Sequence, residues 1–226
     1  ANKIGIDSIL STAKDLNIHT YLEKNMSMSL GSGLVNLIDL TNAYGIIANG
    51  GKKIKPNLIK SVYTRNGKII EDNSNKVCVK CKLIKINNLA KPPKVKSNLN
   101  LILDPKIAYQ ITSMMSGVVK RGTAKNLKDL NIPLAGKTGT TNDNKDAWFI
   151  GYSPDLVVGV YVGHDTPKNL GYKQTGSSVA VPIFKDFIKK SNTNENNIPF
   201  RVPSGLSFVT INNKTGLPSN NKESIM

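Results

Sequence analysis

A chain of 226 residues with 39% hydrophobic and 20% charged positions is long enough for one sizeable core, or one core and a small satellite. Its 31 Lys and Arg against 15 Asp and Glu give a formal charge of +16, which points to anionic surroundings. The only arginines are Arg65, Arg121 and Arg201; base and phosphate recognition leans on arginine's planar fork, so nucleic acid is set aside. No run of about 18 apolar residues occurs, so no transmembrane helix is expected. With no initiator Met and no charged-then-apolar leader, Ala1 is expected to begin a piece of a longer protein.

Ile4, Ile6, Ile9, Leu10, Ala13 and Leu16 fall near helical spacing, with Asp7 placed to cap the start, and predict a packing helix over 4–16. A glycine-punctuated loop, Ser27 to Gly33, leads into a second helix over about 34–48. Its buried face is expected to be Leu37, Ile38, Leu40, Ala43, Tyr44 and Ile47, and Asn49-Gly50-Gly51 ends it through a left-handed turn. Residues 56–70 read as a hairpin turning at Asn66-Gly67, a pair suited to two positive φ angles.

The stretch 52–96 holds 13 basic and 2 acidic residues, a net of +11. It is either a solvated basic subregion or a surface for an anionic envelope. Within it stands a lone Cys-x-x-Cys, Cys78 and Cys81. Zinc would need two further ligands, and the only histidines, His19 and His164, lie far away in sequence, so no metal or cofactor is expected. Incidental thiols and an envelope-side disulfide are the two readings of that pair. Residues 90–100, with Pro92-Pro93, read as an irregular connection.

Helix resumes over 101–119, with Asp104 capping Pro105 as first helical residue. Ile107, Ala108, Ile111, Met114, Met115 and Val118 line its expected core face, and Arg121-Gly122-Thr123-Ala124 follows as a tight loop. Three antiparallel strands are predicted next, over 132–141, 147–152 and 156–163, parted by Asn142 to Lys145 and by Ser153-Pro154-Asp155. Lys137-Thr138-Gly139-Thr140 on the first of them faces a cleft, and Gly139 lets a ligand's backbone lie close. Trp148 and Tyr152 are candidates for its wall, with core packing the plainer reading. A helix over 176–190, disturbed near its start by Pro182, turns Ile183, Phe184, Phe187 and Ile188 inward. Residues 191–226, rich in Asn, Ser and Pro, read as a polar, weakly ordered tail.

Gly136-Lys137-Thr138 first invites a phosphate-loop reading. That motif needs a glycine where Asn131 stands, and a helix after the lysine where strands follow instead. The other Lys-Thr-Gly chemistry belongs to the penicillin-interacting serine enzymes, which combine it with Ser-x-x-Lys and Ser-x-Asn. Residues 116–124 (Ser-Gly-Val-Val-Lys-Arg-Gly-Thr-Ala), 135–141 (Ala-Gly-Lys-Thr-Gly-Thr-Thr) and 146–154 (Asp-Ala-Trp-Phe-Ile-Gly-Tyr-Ser-Pro) resemble the C-terminal half of the transpeptidase domain of a class A penicillin-binding protein, a bifunctional peptidoglycan synthase. Ser29 to Gly33 and Ala43 to Gly51 are similar to the same family.

The resemblance implies an α+β fold, an antiparallel sheet flanked by helices. It is the penicillin-binding protein/β-lactamase-like transpeptidase fold, incomplete because the N-terminal strands and serine helix are missing. Residues 1–190 would be the C-terminal part of the domain, with a basic hairpin or insert over about 52–100, and 191–226 the tail. The implied function is a peptidoglycan D,D-transpeptidase fragment. Lys137, Thr138, Gly139 and Thr140 bind substrate; Lys137 and the backbone N–H of Thr140, an oxyanion donor, are its catalytic groups. Implied partners are a stem peptide ending in D-Ala-D-Ala and β-lactams, with a separately encoded N-terminal half left open.

The implied location is the cell envelope, on the outer (periplasmic) face of the bacterial inner membrane, anchored through sequence outside these residues. No nucleophile is credited here. Ser11-Thr12-Ala13-Lys14 has nucleophile-to-lysine spacing but lies in a helix that would follow Ser-x-Asn, and Ser219-Asn220-Asn221 comes after the lysine strand. A non-catalytic basic envelope- or peptidoglycan-binding module is the alternative from another class.

Overall fold

A computed structural model describes residues 1–74, 76–79, 94–191, 198–212, 215–219 and 224–225. Among the described residues there are four α-helices, α1 (Ile6–Asp15), α2 (Leu37–Ala48), α3 (Pro105–Arg121) and α4 (Val181–Ser191), and nine strands. β1 (Ser61–Tyr63) pairs β2 (Ile69–Asp72), β3 (Lys76–Val79) pairs β4 (Lys94–Ser97), and β8 (Ile211–Asn212) pairs β9 (Ser224–Ile225). The largest sheet has the order β5 (Ala135–Thr140), β6 (Asp146–Tyr152), β7 (Val157–Gly163), antiparallel throughout. This is the α+β architecture expected.

Strand alternation divides the core in two. Phe149 and Val160 face one way and meet Val181, Phe184 and Ile188 of α4, joined by Val119, Ala124 and Leu127. Phe149 and Phe184 meet edge to face at 4.8 Å, both fully buried. Ala135 and Tyr152 face the other way, against Ile47 of α2 and Ala108 and Met115 of α3. The sheet is therefore covered on both faces by helices that follow it or precede it in sequence, and β5 is one of its two edge strands.

Asp104 caps α3 as expected, its side chain accepting the Lys106 N–H at 2.7 Å, with Pro105 at the first position. Asp7 does not cap α1. The helix begins at Ile6 behind Gly5, and Asp7 instead pairs with Lys24 at 2.7 Å. None of α1's residues is fully buried, but Ile6, Ile9, Leu10 and Ala13 are half-buried while the residues between them are exposed, so the predicted apolar stripe is the covered face.

Helix α2 starts at Leu37 rather than 34, and buries Ala43, Ile46 and Ile47 while Leu37 and Ile38 stay exposed. It wedges against β7 and α3, so residues nearer its C-terminus take the core positions. Met115 is core, but its neighbour Met114 is 68% exposed, as are Ile107, Ile183 and Phe187 in part. Each of those helices has a single covered face narrower than its apolar stripe.

The hairpin turns as predicted, but only Gly67 has a positive φ, of 76°. The turn closes through Gly67 N–H to Thr64 O at 3.0 Å, and Thr64 N–H reaches Lys68 O at 2.8 Å. That is a turn followed by a left-handed glycine rather than a two-residue turn. Residues 94–97, expected to be irregular, form β4. The side chains of Cys78 and Cys81 lie outside the described residues, as do Asn220 and Asn221. Part of the C-terminal segment packs against the body: Phe200 sets its ring edge-on to the buried Tyr152 at 5.7 Å, and the exposed Phe208 meets Tyr109 at 6.3 Å on the surface.

Candidate active-site wall

β5 carries the predicted cluster in a single run, and its register decides which way each side chain points. Lys137 lies opposite Ile150, Thr138 opposite Phe149, Gly139 opposite Trp148 and Thr140 opposite Ala147. Lys137 and Gly139 therefore share the face of Trp148, while Thr138 and Thr140 share the face of Phe149. Ala135 and Gly136 are buried and Lys137 is exposed, so the strand passes from core to solvent at the lysine. The Lys137 ammonium donates to Thr138 O at 2.8 Å, which holds its charge beside the strand backbone.

Both threonine hydroxyls are held from behind. Thr138 Oγ1 lies 2.8 Å from Thr123 Oγ1, in the loop that follows α3. Thr123 O in turn accepts Ser177 Oγ at 2.5 Å. Thr140 Oγ1 accepts the backbone N–H of Gly176 at 3.0 Å. Gly176 and Ser177 open a wide turn, Gly176–Ala180, that leads into α4.

That turn is tied by Thr175 and Ser178: Ser178 Oγ accepts Thr175 N–H at 2.8 Å, and Thr175 Oγ1 accepts Ser178 N–H at 3.4 Å. Gly176 has no alternative residue at this closeness. A Cβ there would stand 2.4 Å from Trp148 O and 2.7 Å from Gly139 O.

On the other face, the half-buried Trp148 and the exposed Tyr161 set their rings 4.7 Å apart beside bare Gly139. Tyr161 OH donates to Asp146 Oδ1 at 2.8 Å, and that bond raises the phenol's pKa. Tyr152 takes the core role rather than the wall: it is fully buried and its hydroxyl meets Thr112 Oγ1 at 2.9 Å. Among the described residues no group of His, Cys, Asp and Glu could hold a metal ion.

Ser11 and Lys14 are both exposed on α1, and no hydrogen bond joins them. Two surface grooves, of about 460 and 530 Å³, lie away from β5. One is bordered by Asn17, Asn42 and Asn100, the other by Lys120, Lys128 and Lys185. The Lys-Thr-Gly-Thr run lies along an edge of the sheet, which suits a ligand laid alongside it. Thr123 was marked by the sequence only as part of a nearby loop, and Gly176 and Ser177 only as a helix start. Their signal was the Thr175-x-x-Ser178 spacing, which announces a capped turn but not what it leans on.

An outer Lys-Thr-Gly-Thr strand of an antiparallel sheet, backed by helices on both faces, is the layout expected of a penicillin-interacting transpeptidase. Residues 2–189 match the family model of the penicillin binding protein transpeptidase domain, and the chain belongs to that family. It is 43% identical over 219 residues to penicillin-binding protein 1A of Rickettsia bellii, covering 96% of this chain and 27% of that protein. The chain thus spans 21–28% of the length of the curated relatives it matches.

Among solved structures it superposes on penicillin-binding protein 1A from Haemophilus influenzae with a TM-score of 0.80 at 23% identity, over 98% of this chain and 36% of that one. It also superposes on the PonA1 protein from Mycobacterium tuberculosis in complex with penicillin V, with a TM-score of 0.65 at 21% identity, over 87% and 52%. At those identities the structural likeness speaks to the fold.

Proposed function

We propose that these residues form the substrate-gripping wall of a peptidoglycan D,D-transpeptidase, receiving the C-terminal carboxylate of a stem peptide ending in D-Ala-D-Ala, or that of a β-lactam. The observation that carries the reading is an exposed Lys137 ammonium held at Thr138 O on one face of the outer strand, with two threonine hydroxyls on its other face that are each fixed from behind. A carboxylate laid along the strand's edge is satisfied by a cation and by hydroxyl donors, and such charge-assisted bonds are about twice as strong as neutral ones. Gly139 keeps the strand bare enough for the acyl group to run antiparallel to it. The backbone N–H of Thr140 serves as an oxyanion donor, worth about 10²–10³ in rate where such a donor has been removed.

Residues 1–190 act as the C-terminal part of the transpeptidase domain, and the nucleophilic serine comes from outside them. The assembled enzyme works on the outer face of the bacterial inner membrane. No helix among the described residues is long and apolar enough to cross a membrane.

The second reading, a basic module binding envelope polyanions, draws on Lys52, Lys53, Lys55, Lys60, Arg65 and Lys68, all exposed and none in a salt bridge.

The test is an NMR titration of the chain with an acylated D-Ala-D-Ala peptide and with the same peptide amidated at its C-terminus. Shifts at 137–140, with the acid binding about tenfold more tightly than the amide and Lys137→Ala abolishing the difference, are expected. Acid and amide that bind alike would refute the carboxylate grip.

A further inference from the structure

Resting on that reading, the hydroxyl chain behind β5 extends the site by one residue. We propose that Thr123 is a positioning residue: its hydroxyl donates to Thr138 Oγ1 and so leaves the Thr138 proton aimed at the substrate carboxylate.

The argument is a count of protons. Each threonine hydroxyl owns one proton and two lone pairs, and an ionised carboxylate can only accept. Thr138 Oγ1 and Thr123 Oγ1 lie 2.8 Å apart, so one of them donates to the other. When a carboxylate sits against Thr138, Thr138 must give its proton to that anion. Thr123 must then supply the other bond. Without Thr123, nothing turns the Thr138 hydroxyl outward or compensates the lone pair that faces back into the loop.

Two further contacts make the arrangement directional. Ser177 Oγ donates to Thr123 O at 2.5 Å, fixing the loop residue's backbone at the mouth of the turn. The backbone N–H of Gly176 donates to Thr140 Oγ1 at 3.0 Å. Thr140 therefore accepts from behind, and its own proton is free for the same ligand. The segment 175–178 thus supports both threonines: it anchors the backbone of Thr123 behind Thr138, and it donates directly to Thr140. Hydrogen bonds in series polarise one another, so a donor fed from behind is a better donor in front.

The experiment compares affinities for acylated D-Ala-D-Ala and its C-terminal amide, by the same titration, in the unaltered chain, in Thr123→Val and in Thr123→Ser. Valine keeps the shape and deletes the hydroxyl; serine restores it. Expected is about a three- to tenfold loss for the acid in Thr123→Val, with the amide unchanged, and recovery to within about twofold in Thr123→Ser. A purely structural role would weaken both ligands together.

If Thr123→Val keeps the acid-over-amide preference of the unaltered chain, the positioning role is overturned while the carboxylate grip stands. An unaltered chain without any preference overturns both. Should Thr123→Val lose the dispersed spectrum of the folded protein, Ser177→Ala takes its place. A loss confined to the acid supports the role, and an unchanged acid affinity overturns it.

Discussion

Tyr152 and Thr112 meet hydroxyl to hydroxyl at 2.9 Å inside the core between the sheet and α3, and a third atom fixes the direction of the bond. Thr112 Oγ1 also lies 2.9 Å from Ala108 O, an acceptor only, so the single Thr112 proton goes there and Tyr152 must be the donor. The two deletions are therefore unequal. Tyr152→Phe leaves Thr112 bonded to Ala108 and is expected to cost about 1 kcal/mol. Thr112→Val leaves a buried phenol proton without an acceptor and is expected to cost about 1–3 kcal/mol. Urea unfolding of the two variants checks the order.

The same phenol makes the fold sensitive to alkali. Burial pushes Tyr152 up to about 12 from its ordinary value of 10.0. A group whose pKa is raised by folding stabilises the folded state fully below its unfolded pKa, because the unfolded chain releases the proton first as pH rises. Stability should thus hold up to about pH 10 and fall between 10 and about 12. Tyr152→Phe is expected to flatten that decline in unfolding free energy against pH.

Gly176 joins the turn before α4 to the wall strand by contact closer than any side chain permits. Its missing Cβ would stand 2.4 Å from Trp148 O and 2.7 Å from Gly139 O. Both are backbone atoms, which cannot move aside as a flexible side chain could. Gly176→Ala is expected to destabilise by about 1–3 kcal/mol as an overpacking change. It should also pull the Gly176 N–H from Thr140, so a stability loss without a change at Thr140 in the NMR spectrum would refute the coupling. The contrast is Gly50→Ala, where the added carbon meets nothing within 4 Å and only the positive φ of 67° resists it.

Much of the wall could be read from letters because its chemistry is local. Lys137 to Thr140 are consecutive, and the turn residues 142–145 and 153–155 bracket the strands that pair with them. What lay behind the wall was not legible. Thr123 stands 15 residues before Thr138 and Ser177 54 residues after Thr123, and only the packing of α3's exit loop against α4's entry brings them together.

The errors on the helices share one origin. Periodicity identified the apolar stripes of α1, α2 and α4, but not how much of each stripe finds a neighbour, so Ile38 and Phe187 were assigned inward and Ile46 was passed over. A stripe states a preference; burial needs a second surface.

Ser11 tests whether spacing alone can make a nucleophile. A reactive serine needs a base within hydrogen-bond reach and an oxyanion donor facing the reacting atom. Ser11 has neither: it is exposed, unbonded to Lys14, and its neighbour Thr12 donates to Ser8 O at 2.8 Å as an ordinary helical threonine. The chain alone is expected to take up no fluorescent penicillin, and Ser11→Ala to behave identically. A covalent label that maps to Ser11 by mass spectrometry would overturn the decoy assignment.

The basic hairpin separates the two functional readings. Lys52, Lys53, Lys55, Lys60 and Lys68 are exposed, and changing all five to Gln lowers the formal charge of +16 by five while removing no buried contact. Exposed charges of this kind act through long-range attraction that salt screens, so whatever they contribute should fade as ionic strength rises. If the chain serves as a transpeptidase wall, the five-Gln variant keeps its preference for the D-Ala-D-Ala acid over the amide. Its sedimentation with purified peptidoglycan should then fall by less than about twofold at physiological salt. Loss of sedimentation with the acid preference already absent would assign the chain's binding to the hairpin instead of to β5.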